Sequence, residues 1–247
     1  MTKRRKKTAR PSKPFVEYKP KQPKQPIYEQ DKQDKENVHV TLRQNIIPQS
    51  VNQRVYFDHI KTKRVSFCYG CAGSGKTHVA VYQACKMLES GQIKKIILTR
   101  PLVQTGKDMG AIPGGVEEKV APYMIPLICN LEFFLGPSVV KQLIGNKIIQ
   151  VSPLEIMRGL DFKDTFMCLD EAQNCTFEQL KMFLTRMGTG SKCIIAGDTV
   201  QTDLGGYSGF LSVINKMSHL DFVGVSKMNY DDIQRDPDQK RIQIALE

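Results

Sequence analysis

The chain is 247 residues long, 40% apolar and 25% charged, with a formal charge of +11 at pH 7. That length holds one full α/β domain and a tail but crowds two, and the composition is that of a soluble globular chain with enough apolar residues for a core. No apolar run approaches the roughly 20 residues that cross a bilayer, no signal peptide is visible, and the seven cysteines have no disulfide-framework spacing, which excludes an integral membrane protein and points to a reducing cytoplasm.

The charge is concentrated at the start of the chain. Residues 1–25 carry ten Lys or Arg, from Lys3 to Lys24, against the single acid Glu17, which leaves about +2 for the rest. Residues 1–37, rich in Lys, Pro and Gln, bury too little apolar surface to offset ordering entropy and are expected to form a disordered basic tail. Such an arm gains affinity for polyphosphates by counterion release, acidic membranes also attract it, and a merely solubilising tail fits the same composition. The folded part is expected to run over residues 38–247.

Within it, short runs rich in β-branched residues read as buried strands: Val65-Ser66-Phe67-Cys68, then Lys95 to Thr99, Ile148 to Val151, Phe166 to Leu169, Cys193 to Ala196 and Phe222 to Val225. Between them lie helical patterns from Thr77 to Leu88 before Gly91, from Pro122 to Leu135 before Gly136, and from Thr176 to Met187, with a last one from Ile233 to Leu246. Thr176 and Gln179 have capping-box spacing, and Gly188 stands where a C-cap belongs. Alternation of this kind predicts a doubly wound α/β domain with a mostly parallel sheet.

Gly70-Cys71-Ala72-Gly73-Ser74-Gly75-Lys76-Thr77 fits G-x-x-x-x-G-K-[ST] and lies between the first strand and the first helix. In that context the glycines let successive N–H groups face the phosphates of ATP, the helix dipole adds to them, Lys76 neutralises charge and the Thr77 hydroxyl ligates Mg2+. Cys68 and Cys71 form a C-x-x-C overlapping this loop. Two reduced thiols are the expected reading, because Cys68 ends a buried strand instead of opening a helix.

Phe166 to Leu169 leads into Asp170-Glu171. Opposite a phosphate loop, Asp170 would hold magnesium through water and Glu171 would polarise the attacking water; alone, the pair also suits a helix start. The strand ending at Ala196 is followed by Gly197-Asp198-Thr199-Val200-Gln201. There Gln201 is a candidate γ-phosphate sensor supported by Asp198, at the strand edge where open α/β sheets bind ligands, or an ordinary turn. The carboxylate is expected to face the loop across neighbouring strands.

With these residues in view, the chain from about Pro48 onward resembles the PhoH family, P-loop proteins related to the first ATPase domain of superfamily-one helicases. The resemblance rests on Gly70 to Thr77, Arg100-Pro101, Ile112-Pro113-Gly114, Pro153 with Met157-Arg158-Gly159, Asp170-Glu171-Ala172-Gln173-Asn174, Leu184 to Gly188, Gly197 to Gln201 and Asp232-Ile233-Gln234-Arg235. It implies a single RecA-like P-loop domain with helices on both faces. Gln53, in Asn52-Gln53-Arg54, looks like the glutamine with which helicase relatives read adenine, although a solvent-facing polar residue is the other reading. Cys71, Gln104, Leu160 and Asp236 depart from the family pattern, and the short, tail-dominated form resembles phage-encoded members, whose site of action would be the host cytoplasm.

The resemblance further implies ATP hydrolysis with magnesium coupled to single-stranded nucleic acid, RNA before DNA. It also implies a homo-oligomer, a hexameric ring, in which Arg235 or Arg186 reaches a neighbour's site. A nucleotide-dependent switch or assembly factor without nucleic acid is the alternative, followed by a nuclease-associated ATPase.

Overall fold

The computed structural model describes residues 40–102, 116–199, 208–234 and 236–246. Among these described residues, seven α-helices and six strands follow one another as α1 (Val51–Thr62), β1 (Val65–Gly70), α2 (Lys76–Glu89), β2 (Lys95–Arg100), α3 (Val116–Leu135), α4 (Pro137–Gly145), β3 (Ile149–Pro153), β4 (Thr165–Leu169), α5 (Phe177–Leu184), β5 (Lys192–Gly197), α6 (Phe210–Met217), β6 (Val223–Met228) and α7 (Pro237–Leu246).

The strands pair in the order β3-β2-β4-β5-β1-β6, and every pairing is parallel. Because side chains alternate along a strand, the sheet sends one set to each face. Ile96, Leu98, Phe166, Cys168 and Ile194 join a core under α1, α2, α3 and α4. Ile97, Met167, Leu169, Cys193 and Ile195 join a second core under α5 and α6. Strands buried on both faces are near-continuously apolar, which is why apolar runs located the central β1, β2, β4 and β5, while the edge strands β3 and β6 are more mixed. The fold is therefore a single RecA-like α/β P-loop domain with helices on both faces of the sheet.

Several local expectations change. Strand β5 lies between β1 and β4, so the loop-bearing and carboxylate-bearing strands are not neighbours, and the ends of three strands share one edge. Helix α5 has the expected capping box, with Thr176 N–H donating to Gln179 Oε1 at 2.8 Å. It stops at Leu184, however, with Thr185 as its cap. Gly188 is instead held in close approach to β4's lead-in, where a Cβ would lie 2.6 Å from Phe162 O. The last helix starts at Pro237, the favoured first position for proline, because Tyr230–Asp232 form a 3-10 turn and Ile233 is extended. Helices α1, α4 and α6 are additions to the elements expected. In α1 the inward stripe is Gln53, Tyr56, Phe57 and Ile60, too polar at its first position to stand out as an apolar pattern.

Candidate active site

The loop from Gly70 to Thr77 joins β1 to the N-terminus of α2. Gly70, Gly73 and Gly75 have φ of 134°, 78° and 83°, values open to glycine at little cost, and they curl the backbone. Lys76 Nζ lies across this curl and donates to Gly70 O at 2.6 Å and Cys71 O at 2.8 Å. Ser74 Oγ donates to Cys71 O at 2.8 Å.

The far side of the loop is met by three other segments. Gly70 packs so closely on β6 that a Cβ there would lie 2.0 Å from Met228 O. Gln234 N–H donates to Gly73 O at 3.3 Å, and Gln53 Nε2 donates to Ser74 O at 3.0 Å. Gln53 Oε1 accepts from the Gln49 N–H at 2.8 Å, and the residue is only 4% exposed. It is therefore not solvent-facing, and its carboxamide is engaged with the loop. Buried Asp232 ties this group together, its Oδ2 accepting from Asn52 Nδ2 at 2.9 Å and Asn229 N–H at 2.6 Å.

Across the cleft, at the end of β4, Asp170 is almost wholly buried. Its Oδ1 accepts from Thr77 Oγ1 at 2.7 Å. Its Oδ2 accepts from Arg100 Nε at 2.8 Å and also from Arg100 Nη2. Arg100 ends β2 and Thr77 lies in the first turn of α2, so β2 and the start of α2 meet on the carboxylate that follows β4. Glu171 is half-exposed, at a φ of 56°, with Oε1 3.8 Å from Arg100 Nη2. Partial burial and the neighbouring Asp170 charge push its carboxyl above the ordinary carboxylate range, against the hydrogen bond from Gln173 and the charges of Arg100 and Lys76.

Gln173 spans the gap to the third strand. Its Nε2 donates to Glu171 Oε2 at 2.7 Å, and its Oε1 accepts from the Asp198 backbone N–H at 2.8 Å. Asp198 itself is buried at the end of β5.

These groups enclose a cleft of about 390 Å³, lined on the loop side by Gly73, Lys76 and Thr77 and on the strand side by Arg100, Asp170, Glu171 and Asp198. Helix α3 closes it with Pro126 and Asn130. His78 also lines it, its Nδ1 2.8 Å from Asn130 Oδ1.

Of the residues anticipated from the sequence, Gly70 to Thr77, Asp170, Glu171 and Asp198 meet at this edge, while Gln201 and Arg235 lie outside the described residues. Arg186 donates to Met182 O and Leu160 O, which makes it a cap on the α5 C-terminus. Neither Cys68 nor Cys71 is in a disulfide, and burial pushes the Cys68 thiol well up, in line with the expected reduced cysteines.

Arg100 and Gln173 enter the site without having been assigned a role from the sequence. Arg100 had one available signal, a cation at the end of a strand leading to the same sheet edge as Asp170. Gln173 had only its place in the Asp170-Glu171-Ala172-Gln173-Asn174 segment that carries the resemblance, two residues after Glu171.

Thr77 and Asp170 are hard oxygen donors held together, a pair suited to magnesium. Among the described residues no cluster of three or more His, Cys, Asp or Glu gathers to hold a metal alone. The donor set thus fits an ion that takes its other ligands from water and phosphate, as magnesium does in nucleotide sites. No single helix among the described residues is long and apolar enough to cross a membrane.

Comparison with known proteins agrees with this geometry. The family described as PhoH-like protein matches residues 45–247. A PhoH-like protein of Bacillus subtilis is 42% identical over 196 residues, 78% of this chain and 61% of the relative. A PhoH-like protein of Mycobacterium leprae is 40% identical over 194 residues, 78% of this chain and 56% of the relative. Protein PhoH of Escherichia coli K12 is 35% identical over 194 residues, 77% of this chain and 55% of the relative. The matched region spans a little over half the length of these relatives.

Proposed function

The chain belongs to the PhoH-like protein family, a family of P-loop ATPases, and on that premise we propose that it binds ATP with magnesium and hydrolyses it in the cleft between the Gly70–Thr77 loop and the end of β4. The observation that carries this reading is the 2.7 Å contact between Thr77 and Asp170, with Lys76 and Glu171 lining the same cleft. The loop N–H groups and the α2 N-terminus hold the phosphates, and Lys76 exchanges its two carbonyl partners for phosphate oxygens. Magnesium, held by Thr77 and, through water, by Asp170, supplies charge neutralisation for the transferring phosphoryl group. Glu171, set beside Arg100 and Gln173, orients and polarises the attacking water.

Gln201 serves as γ-phosphate sensor, and Gln53, adjoining the loop through Ser74, contributes to the adenine end. Arg235 follows Gln234, whose backbone is bonded to the loop, and it acts as the transition-state arginine for a neighbouring protomer in a homo-oligomeric, hexameric ring. Residues 38–247 constitute the ATPase domain and residues 1–37 a basic arm. The chain works in the cytoplasm, host cytoplasm if phage-encoded, and couples hydrolysis to single-stranded nucleic acid, RNA favoured.

The deciding experiment is steady-state ATP hydrolysis by wild type and Lys76→Ala, with and without magnesium, RNA and DNA. Turnover that needs Lys76 and magnesium and rises with RNA supports the whole reading. Turnover indifferent to Lys76 sinks the site, and absence of stimulation at low salt removes the nucleic-acid coupling and leaves a nucleotide-dependent switch or assembly factor.

A further inference from the structure

Gln173 is 4% exposed, so its carboxamide is removed from solvent and its bonds are costly to leave unmade. Its orientation is fixed by its partners. A backbone N–H can only donate, so the Asp198 N–H at 2.8 Å identifies Oε1, and the group 2.7 Å from Glu171 Oε2 is the donating Nε2. The arrangement is confined from the strand side as well, since a Cβ at Gly197 would lie 2.9 Å from Gln173 Oε1 and 2.7 Å from a Phe210 ring carbon. Residue 197 therefore has to be small for the carboxamide to reach the backbone of Asp198. Glu171 needs such a tether. Its side chain is half-exposed and its backbone lies just past β4 in the left-handed region, which few residues of its type adopt. Its contact with Arg100 Nη2, at 3.8 Å, is too long for a hydrogen bond.

We propose that Gln173 is a positioning residue: it holds the Glu171 carboxylate against the carboxyl end of β5, so that two strands, and not β4 alone, set where the attacking water is activated. The inference rests on the reading of Glu171 as the water-polarising group. Its consequence is that the carboxamide acts on turnover and not on nucleotide binding, because the loop, Lys76 and Thr77 do not depend on it.

Gln173→Glu and Gln173→Leu test this by different routes. The first keeps an oxygen for the Asp198 N–H but replaces the donor to Glu171 with a repelling carboxylate oxygen, and the second removes both bonds. For each, kcat should fall about 10- to 100-fold, the usual worth of a group that orients a catalytic ligand, while KM and the affinity for a non-hydrolysable ATP analogue stay at the wild-type value. Retained analogue binding also shows that the variants fold. In a Glu171→Gln background, Gln173→Leu should cause no further loss, since the two act as one unit.

Full turnover in Gln173→Glu overturns the inference. So do a joint loss of turnover and analogue affinity, which marks a structural role, and additive losses in the double variant. A wild-type protein that binds ATP but never turns it over defeats the Glu171 reading itself, whereas an active wild type with an active Gln173→Glu defeats the positioning role alone.

Discussion

On its cleft side the phosphate loop is met by side chains: Lys76 lies over its carbonyls, Thr77 reaches Asp170, and Arg100 and Glu171 complete a ring of charges. On its far side it is met by shape and backbone, with Gly70 pressed on Met228, Gln234 N–H bonded to Gly73 O and Asp232 joining Asn52 to Asn229. The charged side can rearrange around a ligand because its partners are ends of side chains. The other side is held more rigidly, because Met228 O and the Gln234 N–H are backbone atoms at contact distance and the Gln53 and Asp232 side chains that join them are buried. Damage to the two sides should therefore separate into lost turnover and lost stability.

The largest effect is expected at Glu171→Gln, which should lower kcat by about 10²- to 10⁴-fold while equilibrium binding of an ATP analogue and the melting temperature stay put. Lys76→Ala should cost about 10²- to 10³-fold in turnover, also with an unchanged melting temperature. A large drop in melting temperature for either variant would erase the distinction between the two sides.

Gly70→Ala should behave in the opposite way. With its Cβ against Met228 O at a φ of 134°, it should lose about 2–4 kcal/mol in denaturant unfolding, a loss of stability that Glu171→Gln and Lys76→Ala should not show. Asp232→Ala removes a buried carboxylate and leaves the part-buried Asn52 amide and Asn229 N–H without their acceptor, and should cost about 1–3 kcal/mol, measured in the same way.

The smallest effect concerns pH on the far side. His59 Nδ1 is 2.8 Å from Ser226 Oγ of β6, and burial, together with Lys63, holds its pKa below the ordinary 6.5, against the pull of Asp58. The fold thus favours neutral imidazole. Its contribution to stability is present above pH 6.5 and is lost as the pH falls below 6.5 towards the depressed folded value. The decline in melting temperature over that window should be shallower in His59→Asn, and an unchanged slope would show that His59 is not responsible.

Much of this was legible before any fold was known. The central strands β1, β2, β4 and β5 were legible as near-continuous apolar runs because a parallel sheet covered on both faces buries both sets of side chains, and the edge strands β3 and β6 were legible from shorter apolar stretches. The phosphate loop and Asp170-Glu171 were visible because their chemistry requires fixed residue types at short spacing. What escaped depends on contacts between distant segments. Helix α1 buries a glutamine at its first inward position, so its pattern is diluted. Gly188 looks like a cap in sequence, yet it serves a close approach to Phe162.

The sequence alone determined that six apolar strands alternate with helices and that a glycine-rich loop and an acidic pair stand at strand ends, since these follow from local patterning and spacing. Only the tertiary structure decided that β5 separates β1 from β4, that Arg100 is bound to Asp170, that Gln53 turns inward to the loop and that Gln173 joins Glu171 to Asp198. Strand order and side-chain partners arise from contacts between segments up to 180 residues apart, as in the Asn52–Asp232 pair, and no local pattern in a single chain encodes which of its strand ends will meet.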